Sequence, residues 1–213
     1  PAWAPLPREV EETAYLSYAD LWLCTAYILG EPGPVPPDIE GHLARCDAEV
    51  TTNTVPDICF WHALWLCRGP QDRGTWKKIR RRLGQLRRWA SVNSENFRPR
   101  FLLVLGEVAR LKGRHEKAQR YYEEAVQIAE AAGHWREAAM GCELAAKHAE
   151  ALGRRTWGDL FLARAHSNYL RWGAWGKVAA LRFSPQFLSG SAAARERAAE
   201  EDWGPDQEVT DSV

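Results

Sequence analysis

The stretch LLVLGEVARLKGRHEKAQRYYEEAVQIAEAAG, residues 102–133, decides the fold that this sequence predicts. Small and aromatic residues recur in it at offsets of 0, 3, 7, 12, 16 and 19, and these are Gly106, Ala109, Gly113, Ala118, Tyr122 and Ala125. The small residues let two helices approach closely, and Gly113 permits a tight turn between them. The aromatic ring fills the gap to the next helix pair. We therefore expect an antiparallel helix pair that stacks against further pairs.

The same scheme recurs around a second turn glycine, Gly153, which lies 40 residues after the first. In this second unit a glycine replaces an alanine and a leucine replaces the aromatic residue. The corresponding positions are Ala146, Ala149, Gly158, Leu162 and Ala165. The pattern resembles the tetratricopeptide repeat, although the standard unit is shorter, at about 34 residues. The resemblance implies an all-α fold, a right-handed α-solenoid of about four helix pairs. A helical bundle with alanine-rich seams is the alternative.

Proline and glycine divide the rest of the chain into helices, and strand signals are absent. We expect Asp38, Asp57 and Thr75 to cap three of these helices at their N-termini. The predicted helices span residues 8–29, 38–49, 58–67, 76–92, 101–111, 117–132, 136–152 and 157–171.

Three parts follow from this pattern. Residues 1–56 are predicted to form an irregular N-terminal helical part, because several prolines interrupt them. Residues 57–188 carry the tetratricopeptide-like helical repeats. Residues 189–213 are small, polar and acidic, and we expect a disordered tail there.

Composition limits the class of protein. The chain has 213 residues, 28 Lys and Arg against 28 Asp and Glu, and 46% hydrophobic residues. This balance is ordinary for a globular protein, and it excludes a collagen-like or wholly disordered chain. A net charge of zero argues against a protein that coats nucleic acid with its whole surface.

Cysteine usage and hydropathy indicate the compartment. The five cysteines are odd in number and loosely spaced, which favours buried, reduced thiols over a disulfide framework. The first residues lack the basic start and apolar core of a signal peptide. The longest apolar run, residues 21–29, is much shorter than the roughly 20 residues of a membrane span. We expect a cytoplasmic protein with no membrane segment.

A wider resemblance covers residues 60–188. It rests on the segments FWHALWL, SENFRPRFLLVLGEVARLKGR, FLARAHSNYLRWGAWGKVAAL and FSPQFL. These are similar to the helical region that follows the ATPase module in large multidomain bacterial signalling proteins, which combine serine/threonine kinase, ATPase, GAF and histidine kinase domains. The resemblance implies a non-catalytic, repeat-type arm. Segments that correspond to the kinase, ATPase or GAF domains do not occur in this sequence.

Signatures of catalysis or of cofactor binding are absent from the sequence. It contains no GxxxxGK[ST] phosphate loop, no GxSxG and no HExxH. His42 and Cys46 have the spacing of two metal ligands on a helix, but two ligands do not make a site. His62 is expected to be a buried structural histidine, and Cys142 and His148 lie six residues apart, off a common helix face. We expect no catalytic residues, no cofactor and no metal.

The first helix of each tetratricopeptide unit lines a concave groove in the family that this pattern resembles. That resemblance places eight residues of this chain on the groove: Arg100, Leu103, Glu107, Arg110, Met140, Glu143, Lys147 and Glu150. Because charges of both signs dominate this set, it suggests a peptide or a partner helix as the ligand. Solvated charges without a partner are the alternative. The exposed ends of a short repeat stack are compatible with homo-oligomer formation.

A basic segment accompanies the groove. It contains Lys77, Lys78, Arg80, Arg81, Arg82, Arg87 and Arg88. We interpret these charges chiefly as a solvated face that the acidic tail screens. An acidic protein partner and a nucleic-acid backbone are the two alternatives, and the second would make residues 73–88 a nucleic-acid-binding surface.

The sequence thus predicts a protein-interaction scaffold, a regulatory arm of a signalling system that binds a protein or peptide. The 11 tryptophans are expected to be mostly core, with Trp61 and Trp65 on one buried helix face. A tryptophan-lined pocket in a helical enzyme or ligand-binding protein is the third alternative.

Overall fold

A computed structural model describes residues 8–30, 36, 38–46 and 54–182. Over these residues the fold is all-α, with nine helices and no strand. The helices are α1 (Arg8–Leu29), α2 (Ile39–Cys46), α3 (Thr54–Leu66), α4 (Arg73–Val92), α5 (Ser94–Leu111), α6 (His115–Ala131), α7 (Trp135–Ala151), α8 (Arg155–Trp172) and α9 (Trp175–Arg182). The predicted tail, residues 189–213, lies outside the described residues.

Two rows of helices make up the main body. The inner row consists of α3, α5 and α7, in which α3 contacts α5 and α5 contacts α7. The outer row consists of α4, α6 and α8, and each of its helices packs against neighbours in the inner row. Helices adjacent in sequence are adjacent in space because the turns between them are short. Helix α1 packs against α3, on the side of the inner row that faces away from the outer row.

Four turns in the second half of the chain repeat with a spacing of 20 residues. Gly113, Gly133, Gly153 and Gly173 adopt φ values of 66°, 72°, 71° and 82°, a left-handed conformation that glycine adopts at low cost. After each glycine, the next backbone N–H donates to a carbonyl five residues earlier, as in Arg114 to Ala109 and Arg154 to Ala149, both at 2.9 Å. The repeat pattern in the sequence included only two of these four glycines, Gly113 and Gly153.

Helix starts differ from the predicted caps. Asp72, not Thr75, caps α4, because its side chain accepts a hydrogen bond of 2.7 Å from the Thr75 backbone. Helix α3 begins at Thr54 and so includes Asp57, which uses its carboxylate in ion pairs instead of capping. Proline is tolerated at Pro56 because the first turn of a helix has free N–H groups anyway. Helix α9 was not predicted, because Gly173 and Gly176 lie close to Trp175 and indicated a turn there.

Gly106 of α5 and Tyr122 of α6 meet within the first repeat, whereas the sequence analysis expected the aromatic ring to fill the gap to the next helix pair. A Cβ added at Gly106 would collide with the Tyr122 ring, with Cδ1 at 2.6 Å. Tyr122 itself is fully buried, and its hydroxyl donates to Glu107 at 2.5 Å. The absence of a side chain at Gly106 thus sets the distance between α5 and α6.

Candidate functional site

Helix α1 lies across the inner face of the row formed by α3, α5 and α7. Near its middle, the Trp22 ring packs edge-on against Trp65 of α3, with centroids 5.7 Å apart. At its C-terminal end, the carbonyl of Ile28 accepts a hydrogen bond of 2.7 Å from Lys177 of α9. Helix α1 thus packs chiefly against α3, and its C-terminal end reaches α7 and α9.

Tyr27 of α1 occupies the centre of this face. Its side chain is 4% exposed and lies 5.9 Å from the Trp61 ring, while the Arg68 guanidinium stacks on it at 3.5 Å. Met140 and Glu143 of α7 line the same small gap beside it. The hydroxyl of Tyr27 is buried and has no hydrogen-bond partner among the described residues.

A network of ion pairs ties the N-terminal ends of the inner helices together. Arg100 of α5 pairs with Asp57 of α3 and, at 2.9 Å, with Glu137 of α7. Arg136 pairs with Asp57 at 3.2 Å and with Glu137 at 2.8 Å. Burial raises the pKa of Glu137, but the two guanidinium groups outweigh it and lower that pKa below its usual value. Asp20 of α1 lies over this network, and burial together with the Asp57 charge raises its pKa to about 6.

The predicted groove residues divide into buried and accessible groups, which corrects part of the sequence analysis. Leu103 and Met140 are 0% and 3% exposed, so neither offers a contact surface in this state. Glu107 is 3% exposed and bonds Tyr122, while Arg110 pairs with it at 2.8 Å. Arg100 belongs to the ion-pair network described above. These groove residues are buried because of tertiary packing, since the inner helices contact one another and α1 covers their common face.

The remaining three groove residues, Glu143, Lys147 and Glu150, line an open cleft of about 520 Å³ between α7, α8 and α9. The far wall consists of Lys177, Ala180 and Leu181 of α9. The floor comes from the first half of α8, and its residues are Arg155, Gly158, Asp159 and Leu162. Sequence reasoning missed the α8 and α9 residues because nothing local relates them to α7.

Charge is concentrated at one end of this cleft. Glu143 accepts from Lys147 at 2.7 Å, from Lys177 at 3.0 Å and from the Tyr169 hydroxyl at 2.7 Å. Burial raises the pKa of Glu143, but the two ammonium groups more than offset this and lower it to about 2. Lys147 keeps 57% of its side chain exposed, whereas Lys177 keeps 12%. The cleft lining therefore exposes charges of both signs, with the cations Lys147 and Arg155 beside the anion Glu150.

Helix α4 has an exposed basic face, which contains six of the seven basic residues that were predicted. Arg82 does not belong to it, because its side chain is 0% exposed and pairs with Glu40 of α2 at 2.5 Å. It also donates to Gln85 at 2.8 Å. The helical period turns this one position inward. The exposed members are Lys77, Lys78, Arg80, Arg81, Arg87 and Arg88.

Burial shifts the pKa values of several thiols and imidazoles of the described part. Burial raises the pKa of Cys67 and of Cys142 to about 12, so both thiols are protonated at neutral pH. His62 is buried as predicted, and burial, assisted by Arg82, lowers its pKa to about 3. His148 lies 3.2 Å from the His115 carbonyl and does not contribute to a catalytic pair with Cys142.

Tryptophan burial is mixed. Trp61 is fully buried, as expected. Trp157 and Trp175, however, are 49% and 69% exposed. These two lie at the end of the described helix stack, where no further described helix pair covers them. The cleft between α7, α8 and α9 is not a tryptophan-lined pocket, because none of the described residues that line it is a tryptophan.

The described residues lack both a metal-binding cluster and a membrane-spanning helix. They contain no group of three or more His, Cys, Asp or Glu side chains placed to hold a metal ion. Within the same part of the chain, no helix combines the length and the apolar character that crossing a membrane requires.

Comparisons of the chain with protein-family models, with curated proteins and with solved structures found no match.

Proposed function

We propose that this chain is a non-catalytic scaffold for protein–protein interaction, folded as a tetratricopeptide-like right-handed α-solenoid. The turns at Gly113, Gly133, Gly153 and Gly173 support the repeat assignment, because one turn geometry recurs every 20 residues. The arrangement of α3 to α8 in two rows is also what stacked helix pairs produce. The resemblance to multidomain signalling proteins makes a regulatory arm in the cytoplasm its proposed setting.

The observation that carries this proposal is the open cleft between α7, α8 and α9. The cleft is lined by three helices and combines the exposed Lys147 with the apolar residues Leu162 and Leu181. Such a surface suits an extended peptide or a helix of mixed polarity. Lys147 and Arg155 would attract acidic residues of the partner, whereas Glu150 and Asp159 would attract basic ones. The cleft therefore suits a partner segment that carries charges of both signs.

A display library of random 12-residue peptides tests this function directly. Peptides selected on the full chain should lose at least tenfold in affinity, about 1.4 kcal/mol, when Lys147→Glu reverses the charge in the cleft. Lys117→Glu is the matched control, because Lys117 is also exposed but lies on α6, away from the cleft. Fluorescence anisotropy with labelled peptides measures both affinities.

Two results would contradict the scaffold proposal. One is a selection that yields no peptide above the background of an unrelated helical protein. The other is a set of peptides whose binding ignores Lys147→Glu and responds equally to the control. In either case the cleft is not the surface that recognises a partner.

The second candidate function is nucleic-acid binding through the exposed basic face of α4. Seven exposed Lys and Arg side chains on one helix, the six named above and Arg73, are the observation that favours it. A labelled 20-base-pair DNA duplex should then bind with an affinity that falls steeply with salt. Replacing Lys77, Lys78, Arg87 and Arg88 by Glu should abolish that binding. The scaffold proposal predicts no binding of the duplex at physiological salt.

A further inference from the structure

Helix α1 differs from the other long helices in how it joins the chain. The segment that follows it, residues 30–37, contains four prolines and two glycines. It lacks the turn glycine that recurs every 20 residues from Gly113 to Gly173. The sequence that joins α1 to the rest of the chain thus differs from the glycine turns between the later helices.

The buried residues of α1 have the spacing of a helix bound in a groove. Leu16, Ala19, Leu23 and Tyr27 follow one another at intervals of three, four and four residues, and they are 8%, 0%, 0% and 4% exposed. Anchors at such positions are typical of an amphipathic helix that docks into a receptor groove. The partner surface consists of side chains from α3 and α7, including Trp61, Trp65 and Met140.

The fit of α1 is imperfect in its polar groups. Asp20 Oδ1 and the Tyr27 hydroxyl are both buried, and neither has a hydrogen-bond partner among the described residues. An unsatisfied buried polar atom destabilises the arrangement that buries it. Both atoms belong to α1, so release of this helix into water would relieve both. A competing helix without these two polar groups would bind the same surface of α3 and α7 more tightly than α1 does.

We propose that α1 is a self-supplied occupant of the inner groove, which an amphipathic helix of a partner protein displaces by inserting anchors of the same spacing. The proposal rests on the proposed scaffold function, since the groove under α1 continues into the open cleft at α9. Displacement would uncover Met140 and Glu143, two residues that line the gap beside Tyr27 and that the sequence analysis assigned to the partner surface.

The test uses the full chain and, as a probe, a fluorescein-labelled synthetic peptide of residues 8–29. Leu23→Ala removes a fully buried anchor from α1, whereas Leu21→Ala removes the same side chain from a position that is 69% exposed. Because the probe keeps its own Leu23, the first variant should bind it at least tenfold more tightly than the unchanged chain. The second should bind it within twofold of the unchanged chain.

Amide hydrogen exchange on the unchanged chain keeps the proposal testable if Leu23→Ala does not fold. Amides of α1 should exchange at least tenfold faster than those of α5 and α7, and saturating probe should accelerate them further. Equal protection of α1 and α7, or equal probe affinity for the two variants, would overturn the proposal. Either result leaves the cleft available to peptides, so the Lys147→Glu comparison separates failure of this inference from failure of the scaffold function.

Discussion

Substituting Gly106 by alanine tests the physical basis of the repeat. Alanine is the better helix former, by about 0.8–1.0 kcal/mol in a helix interior. At Gly106, however, the new methyl group would lie 2.6 Å from Tyr122 Cδ1, far inside van der Waals contact. Overpacking of this kind costs about 1–3 kcal/mol. The clash is hard to relieve, because Tyr122 is fully buried and its hydroxyl is held by Glu107.

Once the gain in helix propensity is subtracted from the cost of overpacking, we expect Gly106→Ala to lower the free energy of unfolding by up to about 2 kcal/mol. Gly84→Ala is the matched control. Gly84 also lies inside a helix, but it is exposed, and no described atom outside its own helical surroundings lies within 4 Å of a Cβ placed there. That variant should be more stable than the unchanged chain by about 0.5–1 kcal/mol.

Urea unfolding followed by circular dichroism at 222 nm measures both changes. The two variants should shift the midpoint in opposite directions while the slope with urea stays constant. If Gly106→Ala stabilises the chain as much as Gly84→Ala does, close helix approach at Gly106 is not what holds α5 and α6 together. The tetratricopeptide-like reading of this position would then be refuted.

Two further predictions concern single charged residues. Arg82→Ala should destabilise the chain by about 3–5 kcal/mol, because it leaves Glu40 without its buried partner. Arg88→Ala, on the exposed face of the same helix, should change stability by less than about 0.5 kcal/mol in the same urea assay. Asp20 has a pKa raised from 3.8 to about 6, so its contribution to stability is most favourable below pH 4 and declines as pH rises through 6. Asp20→Asn should remove that decline, and a stability difference between the two proteins that is flat from pH 4 to 8 would contradict the burial of this carboxyl.

Helix content was accessible from the sequence because it depends on local patterns. The helical period, the proline breaks and the turn glycines Gly113 and Gly153 correctly predicted an all-α chain and most helix bounds to within a few residues. The cap assignments at Asp57 and Thr75 were wrong because several polar residues compete near each helix start. Helix α5 begins seven residues earlier than predicted, since Asn93 caps it and proline at Pro99 does not stop it.

The candidate site could be predicted only in part. Of the predicted groove residues, Glu143, Lys147 and Glu150 line the cleft, but the walls from α8 and α9 were not predicted. The burial of Arg82 was missed because its partner, Glu40, is 42 residues away and on another helix. The role of Tyr27 was missed for the same kind of reason, since its neighbours come from α3 and α7.

By itself, the sequence determined which segments are helices and where the chain turns. Periodicity, proline and glycine act within a few residues, and those effects are readable along the chain. Only the tertiary structure decided which faces remain available. Helix α1 covers a surface assembled from three helices far apart in sequence, and the cleft at α9 stays open. Such burial depends on contacts between distant residues, which no local pattern encodes.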